Sequence, residues 1–360
     1  MLLGEAPYRS LELTLWKALM LPAPHRYAIA LVGCSLLVGL GLAEVLLRSQ
    51  YHQAHRKMAG RDPGRELCTM RASDPRLIYT YVPNRCGANA HGYVDEDYTY
   101  EKSPTTYRIV IIGDSVASGL SRTEKFGKIL EHRLNTDFAP HRGQAYEVIV
   151  LARSGYATVQ ELILLEEEAF LYHPDVVLWS YVLNDPAHPV YHANANGELG
   201  RFWYVPRYHV VHVLHKALFQ WQEKRKRSQC EPEFHHFLHC AYRPQIAANI
   251  QKIGAIATHR HLPIIFLIHP IFEQGKTYAD YSLLPVHSML QTMATAAGLI
   301  VWDVYDAFRA YDPQELQVTS KEYGHDPWHP NVKGHTVIAE YLYEKLTHKL
   351  LVDATPQHPR

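Results

Sequence analysis

The sequence predicts a three-layer α/β/α domain on a five-stranded parallel sheet, preceded by one membrane-spanning helix. Three observations carry this expectation. Five short apolar runs recur between residues 107 and 305, the segments between them have helical spacing, and residues 28–43 carry no charge at all. Continuous apolar strands separated by helices are the pattern of a parallel sheet covered on both faces.

The charge-free stretch "AIALVGCSLLVGLGLA" resumes after Glu44 with "VLL". Taken as 27–47 it is about twenty residues, enough for a helix to cross a hydrocarbon core of about 30 Å. It has no polar face, which a helix of a soluble domain would show. No A-x-A-like site closes it, so a cleaved signal fits less well. Residues 48–66 are basic and polar and read as a juxtamembrane linker or helix. Residues 67–106 are rich in Pro, Gly, Asn and Tyr, the chemistry of turns and short strands.

The alternation begins at Tyr107. The predicted strands are 107–113, 146–152, 175–183, 263–270 and 299–305. Helices are predicted over 124–135, 158–172, 281–298 and 332–351. Residues 186–245, rich in His, Tyr, Trp and Arg, break the alternation and read as a partly helical insertion after the third strand. The expected organisation is therefore an N-terminal segment 1–26, an anchor 27–47, a linker and extension 48–106, an α/β domain 107–350 containing the insertion 186–245, and a tail 351–360.

The 36 basic residues balance 36 acidic ones, so no global field favours nucleic acid. The local run Lys224–Arg227 reads as a solvated helix face. Among 24 histidines, the segment "CEPEFHHFLHC" (230–240) crowds Cys and His together, yet its spacing departs from zinc-site patterns. A disulfide, free thiols and a metal site stay open there, the disulfide being plainest in an oxidising compartment. Two signals bear on that compartment. Arg9, Lys17 and Arg26 precede the span while Arg48, Arg56, Lys57, Arg61 and Arg65 follow it, a count that would keep the large domain cytoplasmic. Against this, Cys68, Cys86, Cys230 and Cys240 form two locally spaced pairs outside the span. The expected placement is extracytoplasmic, periplasmic in a bacterium.

In a parallel sheet, ligands meet residues just past the strand ends. Those ends carry Gly113-Asp114-Ser115, Ser154-Gly155 and Asn184-Asp185, and "DPWHPN" precedes the last helix with Asp326 and His329. Serine becomes a nucleophile when a base takes its proton, and histidine is suited to that near neutrality. Asp326 is spaced to accept from the other ring nitrogen. The N–H groups of Ser115 and Gly155 and the side-chain amide of Asn184 are suitable donors for an oxyanion. Each piece alone also has an ordinary structural role as cap, turn or loop. The set, in this order, points to nucleophilic acyl chemistry.

The four pieces resemble the blocks of the SGNH hydrolases, the GDSL-type esterase and lipase superfamily. "GDSVASG" resembles the first block with Ser115 as nucleophile. Gly155 in "ARSGYATVQEL" and Asn184 in "YVLND" match the second and third. "DPWHPNVKGH" resembles the fifth, with Asp326 and His329 completing a triad. Val182 stands where the third block often has glycine, and Val116 replaces the leucine of the GDSL name. The resemblance covers about 107–350 and implies a flavodoxin-like sheet, an ester-bearing small molecule, lipid or glycan as substrate, and no cofactor or metal.

Competing motifs fail. "QGKT" (274–277) lacks the first glycine of a P-loop, no G-x-S-x-G elbow exists, and no G-x-G-x-x-G follows a strand. The expected activity is ester hydrolysis through an acyl-enzyme. The alternatives are O-acyl transfer to a polysaccharide by the same triad, and a non-catalytic binding or assembly protein that keeps the fold.

Overall fold

A computed structural model describes residues 22–61, 63–192, 195–320 and 324–350. Residues 1–21 of the expected N-terminal segment and the tail 351–360 lie outside the described residues. The chain forms two compact units: one holds the described residues through Arg61 with Val205–Leu218, and the other holds the remainder.

In the first unit, helix α1 (Ala23–Arg61) is continuous over 39 residues. At 1.5 Å per residue it is about 58 Å long, close to twice a hydrocarbon core. Its first half is long and apolar enough to cross a membrane, and none of that window is buried. The polar stretch after residue 47 continues the helix to Arg61, so the first part of the expected linker is rigid helix.

The second unit is organised by a five-stranded sheet: β3 (Thr106–Gly113), β4 (Ala145–Ala152), β5 (Val176–Val182), β6 (Ile264–His269) and β7 (Ile300–Asp303). Before them, β1 (Thr69–Arg71) and β2 (Tyr79–Tyr81) make a small antiparallel ribbon in the extension. The order in the large sheet is β4-β3-β5-β6-β7, with every pair parallel. All strand ends that carry the candidate residues thus share one rim. Burial explains the apolar runs: Ile109, Val110, Ile111 and Ile112 of β3 have no exposed surface, each contributing about 1.5–3 kcal/mol.

Helices cover both faces. Helices α3 (Phe126–Arg133) and α10 (Val332–Lys345) pack together, as do α4 (Thr158–Glu167), α8 (Arg243–Arg260) and α9 (Leu284–Ala296). The last predicted strand is shorter than expected, because Val304 turns the chain into a short helix over Tyr305–Phe308. The insertion forms three helices, α5 (Ala195–Trp203), α6 (His209–Arg227) and α7 (Phe234–Ala241).

Cys68 is disulfide-bonded to Cys86, and Cys230 to Cys240. The histidines beside the second bridge have protein partners. His235 Nδ1 lies 2.8 Å from Glu233 Oε1, and His239 Nε2 lies 3.0 Å from the Tyr181 hydroxyl. Among the described residues, no group of three or more His, Cys, Asp or Glu side chains is arranged to hold a metal ion.

The extension is tied to the sheet through charge. Lys125, fully buried, points its ammonium at Asp95 Oδ1, 3.4 Å away, and also donates to the Val94 carbonyl. Asp95 Oδ2 accepts from Val150 N of β4 at 2.7 Å. Burial pushes the Lys125 ammonium down to about 8, against the pull of Asp95.

Candidate active site

The strand β3 ends at Gly113, where a side chain would collide: a Cβ there would lie 2.9 Å from Ser180 Cβ and 3.0 Å from the Ser180 carbonyl oxygen. Glycine lets β3 and β5 remain close while the chain turns outward. Asp114 then caps the short helix α2 (Ser115–Ser118), its Oδ1 accepting from Val116 N at 2.9 Å. Ser115 is thereby held at the first position of that helix, two residues past the strand, its side chain at the rim.

Asp326 and His329 stand on a small hairpin outside the large sheet. Residues 324–330 form β9 (Gly324–Pro330), paired antiparallel with β8 (Gln317–Ser320). Asn331 closes this hairpin: its Oδ1 accepts from Gly334 N at 3.0 Å and its Nδ2 donates to the carbonyls of Glu315 and Gln317. Asp326 Oδ1 accepts from the backbone N–H groups of Trp328 and His329 at 2.8 and 3.1 Å, which folds the turn around the carboxylate.

Three side chains then meet. His329 Nδ1 lies 2.7 Å from Asp326 Oδ2, and His329 Nε2 lies 2.9 Å from Ser115 Oγ. With Nδ1–H donating to the carboxylate, Nε2 is the acceptor left for the serine hydroxyl. A second contact, Ser115 Oγ to Asp114 Oδ2, is 3.3 Å, and a hydroxyl has one hydrogen to give. The shorter contact to His329 is the better one.

The electrostatics follow from partial burial. Burial would raise the Asp326 carboxyl, but the His329 hydrogen bond and charge outweigh it and hold it below its ordinary value. Burial likewise lowers His329, and the hydrogen bond and charge of Asp326, helped by Asp114, more than reverse this. The imidazole is therefore a stronger base than a free histidine.

Gly155 follows β4 with φ of +83°, a left-handed conformation that glycine adopts without strain. The extension pins this turn. The Tyr81 hydroxyl accepts from Ser154 N at 3.0 Å, the Tyr79 hydroxyl donates to the Ser154 carbonyl, and the Tyr156 hydroxyl donates to the Tyr79 carbonyl at 2.6 Å. Arg153 stacks over the Tyr93 ring at 4.0 Å and donates to the Gly92 carbonyl at 3.1 Å. These tyrosines support the candidate site, and sequence reasoning missed them. The abundance of Tyr between 79 and 100 was the available signal.

Asn184 is buried after β5, and its Oδ1 has no hydrogen-bond partner among the described residues. Asp185 tethers the turn, its Oδ2 accepting from Val182 N at 2.9 Å. Burial pushes the carboxyls of Asp185 and Glu161 well above the usual range, and repulsion within the Asp114, Glu161 and Asp185 group adds to it. An apolar cavity of about 220 Å³ borders this turn, lined in part by Thr158, Asp185, Ile246, Ile250 and Phe266. Ser115, Asp326 and His329 do not line it.

A second Ser–His pair sits in the core, Ser180 Oγ and His269 Nε2 at 2.9 Å. Burial pushes His269 down to about 3, so it stays neutral and serves packing.

A parallel sheet with serine, imidazole and carboxylate at its carboxyl rim defines a class, the α/β ester hydrolases. Within it, the chain belongs to the GDSL-like Lipase/Acylhydrolase family, which it matches over residues 111–337. Its activity class is ester hydrolysis.

Solved structures similar in fold include the acetyl xylan esterase AlAXEase, at 12% identity over 66% of this chain and 99% of that one, TM-score 0.43. Axe2, an acetylxylan esterase from Geobacillus stearothermophilus, is 14% identical over 68% and 95%, TM-score 0.42. The lipase/acylhydrolase from Enterococcus faecalis is 14% identical over 70% and 100%, TM-score 0.41. No curated protein matches the chain.

Proposed function

We propose that this chain is a membrane-anchored serine esterase, with its hydrolase domain at 107–350 and its anchor at 27–47. Ser115 is the nucleophile, His329 the base and then the acid, and Asp326 the group that orients the ring. The observation that carries this reading is the hydrogen-bonded chain from Asp326 through His329 to Ser115 at the sheet rim.

His329 Nε2 takes the Ser115 hydrogen as Oγ bonds to the ester carbonyl carbon. Charge on the carbonyl oxygen is met by the N–H groups of Ser115 and Gly155 and the amide of Asn184, each such donor being worth about 10²–10³ in rate. Collapse breaks the carbon–alkoxy bond, and His329 returns the proton to the departing alcohol. Water then attacks the acyl-enzyme, giving its proton to His329, and the released serine takes that proton back. The substrate class is an O-acyl group on a lipid or cell-surface glycan. Two disulfides support an extracytoplasmic position for the domain.

A fluorophosphonate probe tests this directly. Mass spectrometry is expected to place the adduct on Ser115, with labelling lost in Ser115→Ala and His329→Ala. Absence of labelling in folded wild-type protein would overturn the assignment.

A further inference from the structure

Helix α6 turns an apolar stripe outward. Val211, Leu214 and Leu218, spaced three and four residues apart and hence on one face, are 44%, 62% and 51% exposed. The same spacing runs on to Trp221, and the exposed Tyr208 precedes the helix. A helix lying on a water-facing surface carries polar residues outward, and this one carries aliphatic side chains there. Its charge is one-sided: Lys216 and Lys224–Arg227 against the single acid Glu223.

The start of α6 is fastened to α1. Glu44 Oε2 accepts from Val210 N at 2.9 Å, and Glu44 Oε1 lies 3.0 Å from His209 Nδ1 and 3.2 Å from Arg48 Nη2. The carboxylate closes the first turn of α6 from outside, the end of a helix where negative charge is favourable. Glu44 is the only charged residue between Tyr27 and Leu47. One turn beyond it, at Arg48, the apolar run of α1 gives way to charge. The stripe therefore begins at the level where the hydrocarbon around such a span ends.

We propose that α6 is an interfacial helix, its stripe of Val211, Leu214 and Leu218 seated at the boundary of acyl chains and headgroups in the membrane that α1 crosses. Lipid is the occupant because an aliphatic stripe, on a helix that carries Lys216 and starts beside Arg48, begins at the edge of the apolar span. The proposal rests on α1 being a membrane anchor.

Spin labels on the full chain in vesicles of phosphatidylcholine and phosphatidylglycerol test both statements separately. Cys34, the free cysteine among the described residues, reports on the anchor. In a Cys34→Ser background, Leu214→Cys reports on the stripe, and Lys216→Cys reports on the opposite side of the helix. Collisions with oxygen are compared with collisions with a water-soluble nickel complex. The expected oxygen-to-nickel ratio is several-fold higher at 214 than at 216, and high at 34. A ratio at 214 no higher than at 216, with 34 in lipid, overturns the interfacial helix and leaves the anchor standing. Shielding of 214 from both reagents identifies a protein partner and overturns lipid. Nickel access at 34 removes the anchor, and the inference with it.

Discussion

Replacing Asp326 by Asn tests the link between the site's geometry and its pH dependence. The amide keeps the shape of the carboxylate and can still accept from the backbone N–H groups of Trp328 and His329. It loses the charge facing His329 Nδ1 at 2.7 Å. A charge-assisted hydrogen bond of this kind is worth about 1.5–3 kcal/mol, a factor of roughly 10–150. An amide N–H turned toward Nδ1 would also favour the tautomer with hydrogen on Nε2, where it cannot take the serine proton. In a fully buried triad that substitution costs about 10⁴ in kcat. Asp326 and His329 are about a third exposed, so water substitutes in part and a loss of about 10²–10³ is expected.

The pH profile supplies the second readout. His329 must be neutral to act as base, so kcat/KM for p-nitrophenyl acetate rises with pH through the His329 pKa. In wild type this limb lies above the ordinary histidine value, because Asp326 outweighs burial. In Asp326→Asn burial is left with less opposition, and the limb moves to lower pH while the plateau falls. A variant within threefold of wild type whose limb does not move would refute the assignment of Asp326 as the orienting group.

Two further substitutions probe what surrounds the site. Tyr81→Phe removes the acceptor of Ser154 N. It is expected to lower kcat up to about tenfold with KM little changed, the equivalent of one hydrogen bond near 1 kcal/mol; steady-state kinetics on a chromogenic ester check this. Asp95→Ala leaves the buried Lys125 without its carboxylate. Breaking such a pair costs about 3–5 kcal/mol, and because Lys125 also donates to the Val94 carbonyl, about 2–4 kcal/mol is expected in urea unfolding.

The five strands were legible from sequence because most of their residues are buried, which writes itself locally as an apolar run such as "IVII" at 109–112. The candidate residues were legible for a related reason. A parallel sheet brings all its strand ends to one rim, so Ser115, Gly155 and Asn184 could be grouped before their distances were known. The helix over 27–47 announced itself by the charge-free run at 28–43. The hairpin that carries Asp326 and His329 left no such mark. Its strand holds two prolines and no alternating apolar face, and it exists because Gln317–Ser320 pairs with it and Asn331 locks its end. The supports at Tyr79 and Tyr81, and the pairing of Asp95 with Lys125, were likewise silent, since no period in the chain relates residues thirty or seventy positions apart. Sequence by itself determined the strands, which residues stand at their ends, and the apolar helix, because burial and helical period act over a few neighbours. Only the tertiary structure decided that His329 Nε2 stands 2.9 Å from a serine 214 residues away, because that distance depends on strand order and packing across the whole domain.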